Sequence, residues 1–145
     1  EMTDPVTMDS PTAAQVKVML ARCGLSQTDA ADFVERDARM VRRWISGELP
    51  MPVALWQLLV DLCARQDRAA EVEIEKLKVS SKKAGDRPIQ SLIMLVRTQD
   101  EARWRGWPCV GAYVAVVRRI VEWAPKHITI LPHYPTKRTV ANMAD

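Results

Sequence analysis

The sequence predicts a mainly α-helical α+β protein, with an N-terminal domain of four to five helices followed by a small strand–helix–helix–strand domain. Over residues 11–78, apolar residues recur at helical spacing between helix-capping residues. Two short runs in the second half are rich in β-branched residues, which favours strands. The length of 145 residues and the apolar fraction of 48% suit a folded globular chain and exclude a disordered one.

The first three predicted helices are short, and each has its own boundary signals. The dipeptide Ser10-Pro11 predicts the start of the first helix, and Gly24 predicts its end. Ser26 is the expected N-cap of the second helix, and Asp37 that of the third, because short polar side chains accept hydrogen bonds from free backbone amides. Gly47 predicts the end of the third helix.

A fourth, longer helix is predicted from Pro52 onward, with leucines on its inner face. The charged segment that follows keeps the helical register, so this helix either continues to about residue 78 or breaks and restarts. The polar segment 80–88 contains Gly85 and Pro88, which predicts the domain boundary there. The expected domains are therefore residues 11–78 and 88–133, with residues 134–145 as a tail.

The second domain begins with a predicted strand from Ile89 to Val96. A short helix follows, with Thr98 as its expected cap. Residues 108–124 place apolar side chains at the spacing of an amphipathic helix, and a second strand is predicted from His127 to Leu131.

Positive charge is concentrated in one short segment, although the net charge of the chain is only +3. Residues 36–43 contain Arg36, Arg39, Arg42 and Arg43 against a single acid, Asp37. Such a group of arginines indicates a polyanionic partner. Val41 and Trp44 form the apolar side of the third helix, which leaves the arginines on its outer side.

The segment LSQTDAADFVERDARMVRRWISGELPMP, residues 25–52, resembles the helix-turn-helix of the lambda-repressor/Cro-type (XRE-like) regulators. The matching positions are the opening Leu25-Ser26-Gln27, the small residue Ala31 where the helices cross, the buried Val41, the pair Arg43-Trp44, and Gly47. The segment departs from the family pattern at Glu35, where a turn glycine is usual, and at Asp37, where Ser or Thr is usual. We therefore expect Glu35 to take a strained φ or an altered turn.

This resemblance implies that the second helix of the motif enters the major groove of DNA. The residues expected to contact base edges are Ala38, Arg39, Arg42 and Arg43. The residues expected to contact phosphates are Ser26, Gln27 and Arg36. Arginine is suited to bases because its guanidinium pairs with guanine through two hydrogen bonds.

The order of elements after the motif resembles the anti-CRISPR-associated (Aca) phage repressors, in which the second domain forms the dimer. The resemblance implies a homodimeric repressor that binds an inverted-repeat operator and regulates its own phage anti-CRISPR operon. The expected location is the cytoplasm of a bacterium or phage-infected host, on the nucleoid. The expected dimer interface consists of Ile89, Leu92, Met94, Val96, Val114, Val117 and Val121.

Two other functions are open at this point: an RNA-binding translational regulator that uses the same basic surface, and an antitoxin of a toxin–antitoxin pair. We expect no enzyme, because no catalytic motif with its required spacing is present. The three cysteines are far apart, which predicts three buried thiols rather than a disulfide or zinc site. No cofactor, metal site, signal peptide or membrane partner is expected.

Overall fold

The computed structural model of the protein describes residues 10–85 and 87–135. The elements in this part of the chain are α1 (Ala13–Cys23), α2 (Gln27–Val34), α3 (Ala38–Ser46), α4 (Val53–Lys83), β1 (Ile89–Met94), α5 (Gln99–Trp104), α6 (Val110–Trp123) and β2 (Ile128–His133). This mainly helical chain with one small sheet confirms the predicted α+β, mainly α, class. Most of the predicted tail, residues 136–145, lies outside the described residues.

The chain forms two compact units, which divide between Gln66 and Asp67 inside α4. This differs from the division expected in the segment 80–88. The helix neither breaks at the charged segment nor ends near residue 78 but continues to Lys83. Only the last part of that segment forms the connection to β1.

The helix ends of the first unit follow from local hydrogen bonds. The N-cap of α1 is Thr12 and not Ser10, because Thr12 and Gln15 form a capping box. Its two bonds join Gln15 N to Thr12 Oγ1 at 3.1 Å and Thr12 N to Gln15 Oε1 at 2.8 Å. Gly24 ends α1 with a φ of 74°, as the sequence predicts.

The core of the first unit is made of apolar side chains from all its helices. Its buried side chains include Val16, Leu20, Cys23, Leu25, Val34, Val41, Trp44, Met51, Leu59 and Leu62. The buried amide of Gln66 donates a hydrogen bond from Nε2 to the carbonyl of Cys23 at 2.9 Å. This bond satisfies a backbone acceptor at the end of α1, where no intrahelical donor is left.

In the second unit, β1 and β2 form a parallel pair, with Ile89 opposite Ile128 and Met94 opposite His133. A parallel pair needs a long connection, which α5 and α6 provide. Apolar side chains of α4, α6 and β2 pack together in the core of this unit: Ala70, Ile74, Leu77, Val116, Ile120, Ile128 and Ile130.

Two polar contacts hold α4 in this unit, one to α6 and one to the segment before β2. Buried Arg119 donates from Nε to Asp67 Oδ1 at 2.7 Å and from Nη1 to the carbonyl of Ala115. Ser81 and His127 form a hydrogen bond of 2.7 Å between Oγ and Nε2. The second contact joins the end of α4 to the residue that precedes β2.

Within residues 10–85 and 87–135, no helix is both long enough and apolar enough to cross a membrane.

Candidate nucleic-acid interface

The turn between α2 and α3 is built around Glu35, which has a φ of 58° and a ψ of 50°. This left-handed conformation is the one expected at a position where the family has glycine. It allows Arg36 N to donate to Ala31 O at 2.9 Å and Glu35 N to donate to Asp32 O at 3.3 Å. These two bonds form the Schellman motif that ends α2. The chain is thereby redirected within three residues to the start of α3.

Asp37 caps α3, as predicted: its Oδ1 accepts a hydrogen bond from Met40 N at 2.9 Å. Val41 and Trp44 are buried and hold one side of α3 against its own unit. Since successive residues are about 100° apart around a helix, the opposite side is centred on Arg39. Arg42 and Arg43 lie on either side of it, and all three arginines are exposed.

The three arginines differ in their partners. Arg43 Nε lies 2.7 Å from Glu48 Oε2, and both side chains are about half exposed. In the described part of the chain, no carboxylate forms an ion pair with Arg39 or Arg42. Arg39 and Arg42 can therefore contact an anionic or polar surface without first breaking an ion pair of the described chain. Arg43 already has a partner in Glu48.

The residues predicted to contact phosphates lie at the ends of α2. Ser26 accepts a hydrogen bond from Asp29 N at 3.0 Å, so it is the N-cap of α2. Gln27 is the first residue of the helix and is exposed. Arg36 donates from Nη1 to the carbonyl of Glu35 at 2.9 Å, which ties part of its guanidinium to the turn. Ala38, which we expected at the base edges, is half-buried at the start of α3.

The predicted dimer residues of the second unit fall into two groups. Leu92, Val114 and Val121 are exposed, and Ile89 and Met94 are half-buried. Val96 and Val117, in contrast, belong to the core of their own unit and are only 1% and 3% exposed. These two side chains are covered within one protomer, so a partner has little of them to contact.

Two residues of this surface, Ser46 and Glu48, are not among the predicted site residues. Ser46 lies on the same side of α3 as Arg39, and its hydroxyl donates to the carbonyl of Arg43. Glu48 reaches Arg43 only because Gly47 reverses the chain with a φ of 85°. A residue beyond a helix cap has no fixed register with the helix, so no spacing rule could have identified this ion pair.

No disulfide joins the cysteines of the described chain, of which Cys23 and Cys109 are buried and Cys63 is half-buried. The prediction that all three are buried is therefore wrong for Cys63. No group of three or more His, Cys, Asp or Glu residues among the described positions could hold a metal ion.

The chain is similar over 55 residues to the transcriptional repressor protein KorC of Escherichia coli, with 38% identity. The match covers 36% of this chain and 65% of KorC, so it leaves about a third of that protein unmatched. No protein-family model matches the chain.

Proposed function

We propose that this protein is a transcriptional repressor that binds double-stranded DNA with α3 in the major groove. The observation that carries the proposal is the outer side of α3, where Arg39 and Arg42 are exposed and without ion pairs in the described chain. The similarity to a transcriptional repressor supports the same function. No catalytic step forms part of the proposal.

In this proposal Arg39 and Arg42 contact base edges, and Arg43 joins them when it leaves Glu48. Ser26, Gln27 and Arg36 contact phosphates from the ends of α2. Acidic side chains are absent from α3 itself, whereas α2 contains Asp29 and Asp32. The favourable electrostatic contact with DNA is therefore made by α3.

The test begins with selection of bound duplexes from random DNA. Arg39→Ala and Arg42→Ala should each lose about 1–3 kcal/mol for the selected duplex, or about 5- to 150-fold, and should relax its sequence preference. Lys17→Ala, which removes an exposed charge from α1, is the control and should affect all duplexes slightly and equally. Parent-like binding by both arginine variants would contradict the proposal. Preferential capture of a folded RNA would favour the RNA-binding alternative instead.

We further propose that the protein acts as a homodimer on an inverted repeat. One recognition helix reads only a few base pairs, whereas a two-fold dimer places two helices in successive major grooves about 34 Å apart. The second unit supplies exposed apolar side chains for the contact, namely Leu92, Val114 and Val121. A two-stranded sheet is small for independent stability, which also favours a partner for it.

Sedimentation of Leu92→Glu and Val121→Glu in the full chain tests the interface. Both variants should be monomeric and should lose most of their affinity for the selected duplex. Val79→Glu is the matched control, because Val79 is an equally exposed valine of α4 outside the proposed interface. A monomeric Val79→Glu with dimeric Leu92 and Val121 variants would place the interface on α4.

The resemblance to the Aca repressors supports the proposal that the repressed operon is the protein's own and that it belongs to a phage anti-CRISPR locus. A reporter fused to the DNA upstream of the gene should be repressed by the parent protein and released by Arg39→Ala. Repression that is lost only when a small toxin partner is removed would favour the antitoxin alternative.

A further inference from the structure

A cavity of about 330 Å³ opens in the second unit, among side chains of α4, β1, α6 and the segment after α5. Small-molecule sites are concave, mostly apolar and roughly 300–1,000 Å³ in volume, with a few polar groups that fix the ligand. This cavity is at the small end of that range. It suits a molecule of the size of an amino acid.

The inner wall of the cavity is apolar. Val116, Val117 and Ile120 of α6 line it, and all three are at least 94% buried. The ring of Tyr113 forms a further part of the wall, and its hydroxyl donates to the carbonyl of Met94 at 2.6 Å. The phenol is thereby fixed in place, and it presents its ring to the cavity.

Two opposite charges line the same cavity. Glu73 of α4 contributes a carboxylate, and Arg105 at the end of α5 contributes a guanidinium. No ion pair joins them within the described part of the chain, where Glu73 Oε2 instead forms an ion pair of 3.9 Å with Lys76 Nζ on the same helix. The Arg105 guanidinium lies 5.5 Å from the centroid of the Tyr113 ring, which keeps the positive charge beside the aromatic wall.

We propose that this cavity binds a small zwitterion with an apolar side chain, of the chemical class of the free α-amino acids. The ligand's ammonium group would pair with Glu73, its carboxylate with Arg105, and its side chain would fill the apolar interior. A simple anion would be repelled by Glu73 and a simple cation by Arg105, so a molecule with both charges matches the site best. This inference does not depend on DNA binding.

Calorimetric titration with L-tryptophan and L-leucine tests the proposal directly. The full-length parent should bind at least one of them at millimolar concentration or below. Glu73→Gln and Arg105→Gln should each weaken this binding by about three- to tenfold, because each removes one charge-assisted contact at a partly exposed site. The matched controls are Glu75→Gln and Arg103→Gln, which remove an exposed charge from α4 and α5 outside the cavity. They should bind as the parent does.

Two ligand analogues separate the roles of the charges. Tryptamine lacks the carboxylate, so its binding should be weakened by Glu73→Gln and not by Arg105→Gln. Indole-3-propionate lacks the amine, so it should show the reverse. Circular dichroism and thermal unfolding of all four variants would show that each one folds.

The proposal is overturned if neither amino acid binds, or if Glu73→Gln and Arg105→Gln both bind the amino acid as tightly as the parent does. It is also overturned if Arg105→Gln changes the sedimentation of the protein without affecting ligand binding, which would assign the cavity to a second copy of the chain. None of these results bears on Arg39 and Arg42, so failure here is distinct from failure of the proposed DNA contact.

Discussion

Replacement of Glu48 should strengthen DNA binding, and the reason lies in its ion pair with Arg43. The Arg43 Nε and Glu48 Oε2 atoms are 2.7 Å apart, at the end of α3 that follows the exposed arginines. For Arg43 to contact a base, this pair must break or the carboxylate must come close to the phosphates. Glu48→Gln removes the charge and keeps the shape of the side chain.

The expected gain follows from the exposure of the pair. Both side chains are about half exposed, and ion pairs of that kind contribute about 0.2–1 kcal/mol. Release of Arg43 should therefore tighten binding to the selected duplex by about 1.5- to 5-fold. Loss of repulsion between Glu48 and phosphate adds to this gain, and that part should weaken as salt is raised.

A double-mutant cycle measured by fluorescence anisotropy separates the two contributions. Arg43→Ala should cost more in the Glu48→Gln background than in the parent, by the energy of the ion pair. Asp61→Asn is the control for net charge, because it removes an exposed acid from α4, where its nearest described partner is the amide of Gln57. If Glu48→Gln binds more weakly than the parent, the carboxylate positions Arg43 for DNA instead of withholding it. That result would refute the reasoning.

Three further predictions concern the stability of the fold. Glu35→Gly should stabilise the protein by about 1 kcal/mol and raise its melting temperature, since Glu35 has a φ of 58° that glycine adopts freely; an unchanged or lower melting temperature would count against strain at this turn. Asp67→Asn should lower the free energy of unfolding in urea by about 1–3 kcal/mol, because the buried Arg119 then loses its charged acceptor on a partly exposed residue, whereas Asp61→Asn should have little effect. Burial raises the pKa of Tyr113 above 10.0, so the folded state favours the protonated phenol. This contribution to the free energy of unfolding is complete below pH 10.0, and it is lost as the pH rises through the higher pKa of the folded state. Tyr113→Phe removes the hydrogen bond to Met94, so its free energy of unfolding at neutral pH should be about 1 kcal/mol lower than that of the parent. Its free energy of unfolding should also decrease less than that of the parent when the pH is raised to alkaline values. An equal decrease in the two proteins would contradict this assignment.

Local sequence signals predict the helices and turns of the first unit well. Ser26 and Asp37 cap the predicted helices, and Gly24 and Gly47 end them, because each acts on backbone groups within a few residues. The predicted start of α1 is wrong by two residues, because the N-cap is Thr12 and not Ser10. Ser10-Pro11 and Thr12 both offer a cap, and only the reciprocal bond with Gln15 selects Thr12.

Contacts that join distant parts of the chain could not be read in the same way. Arg119 lies on a helix between exposed Arg118 and buried Ile120, and helical spacing alone does not show which of two neighbouring arginines is buried. Its burial depends on Asp67, which is 52 residues away and on another helix. A charged residue enters a core only when such a partner is available.

The division between the two units lies inside α4 and could not be predicted from the sequence either. Leu59 and Leu62 are buried before Gln66, and Ala70 and Ile74 are buried after it, so one apolar stripe runs through α4 without a break in its period. Gly and Pro punctuate a chain where the backbone must turn, and no turn occurs where a helix continues from one core into the next. Only the three-dimensional contacts of each stretch reveal the change of core. The polar residues of segment 80–88 mark the end of the helix, and the end of a helix need not be the end of a domain.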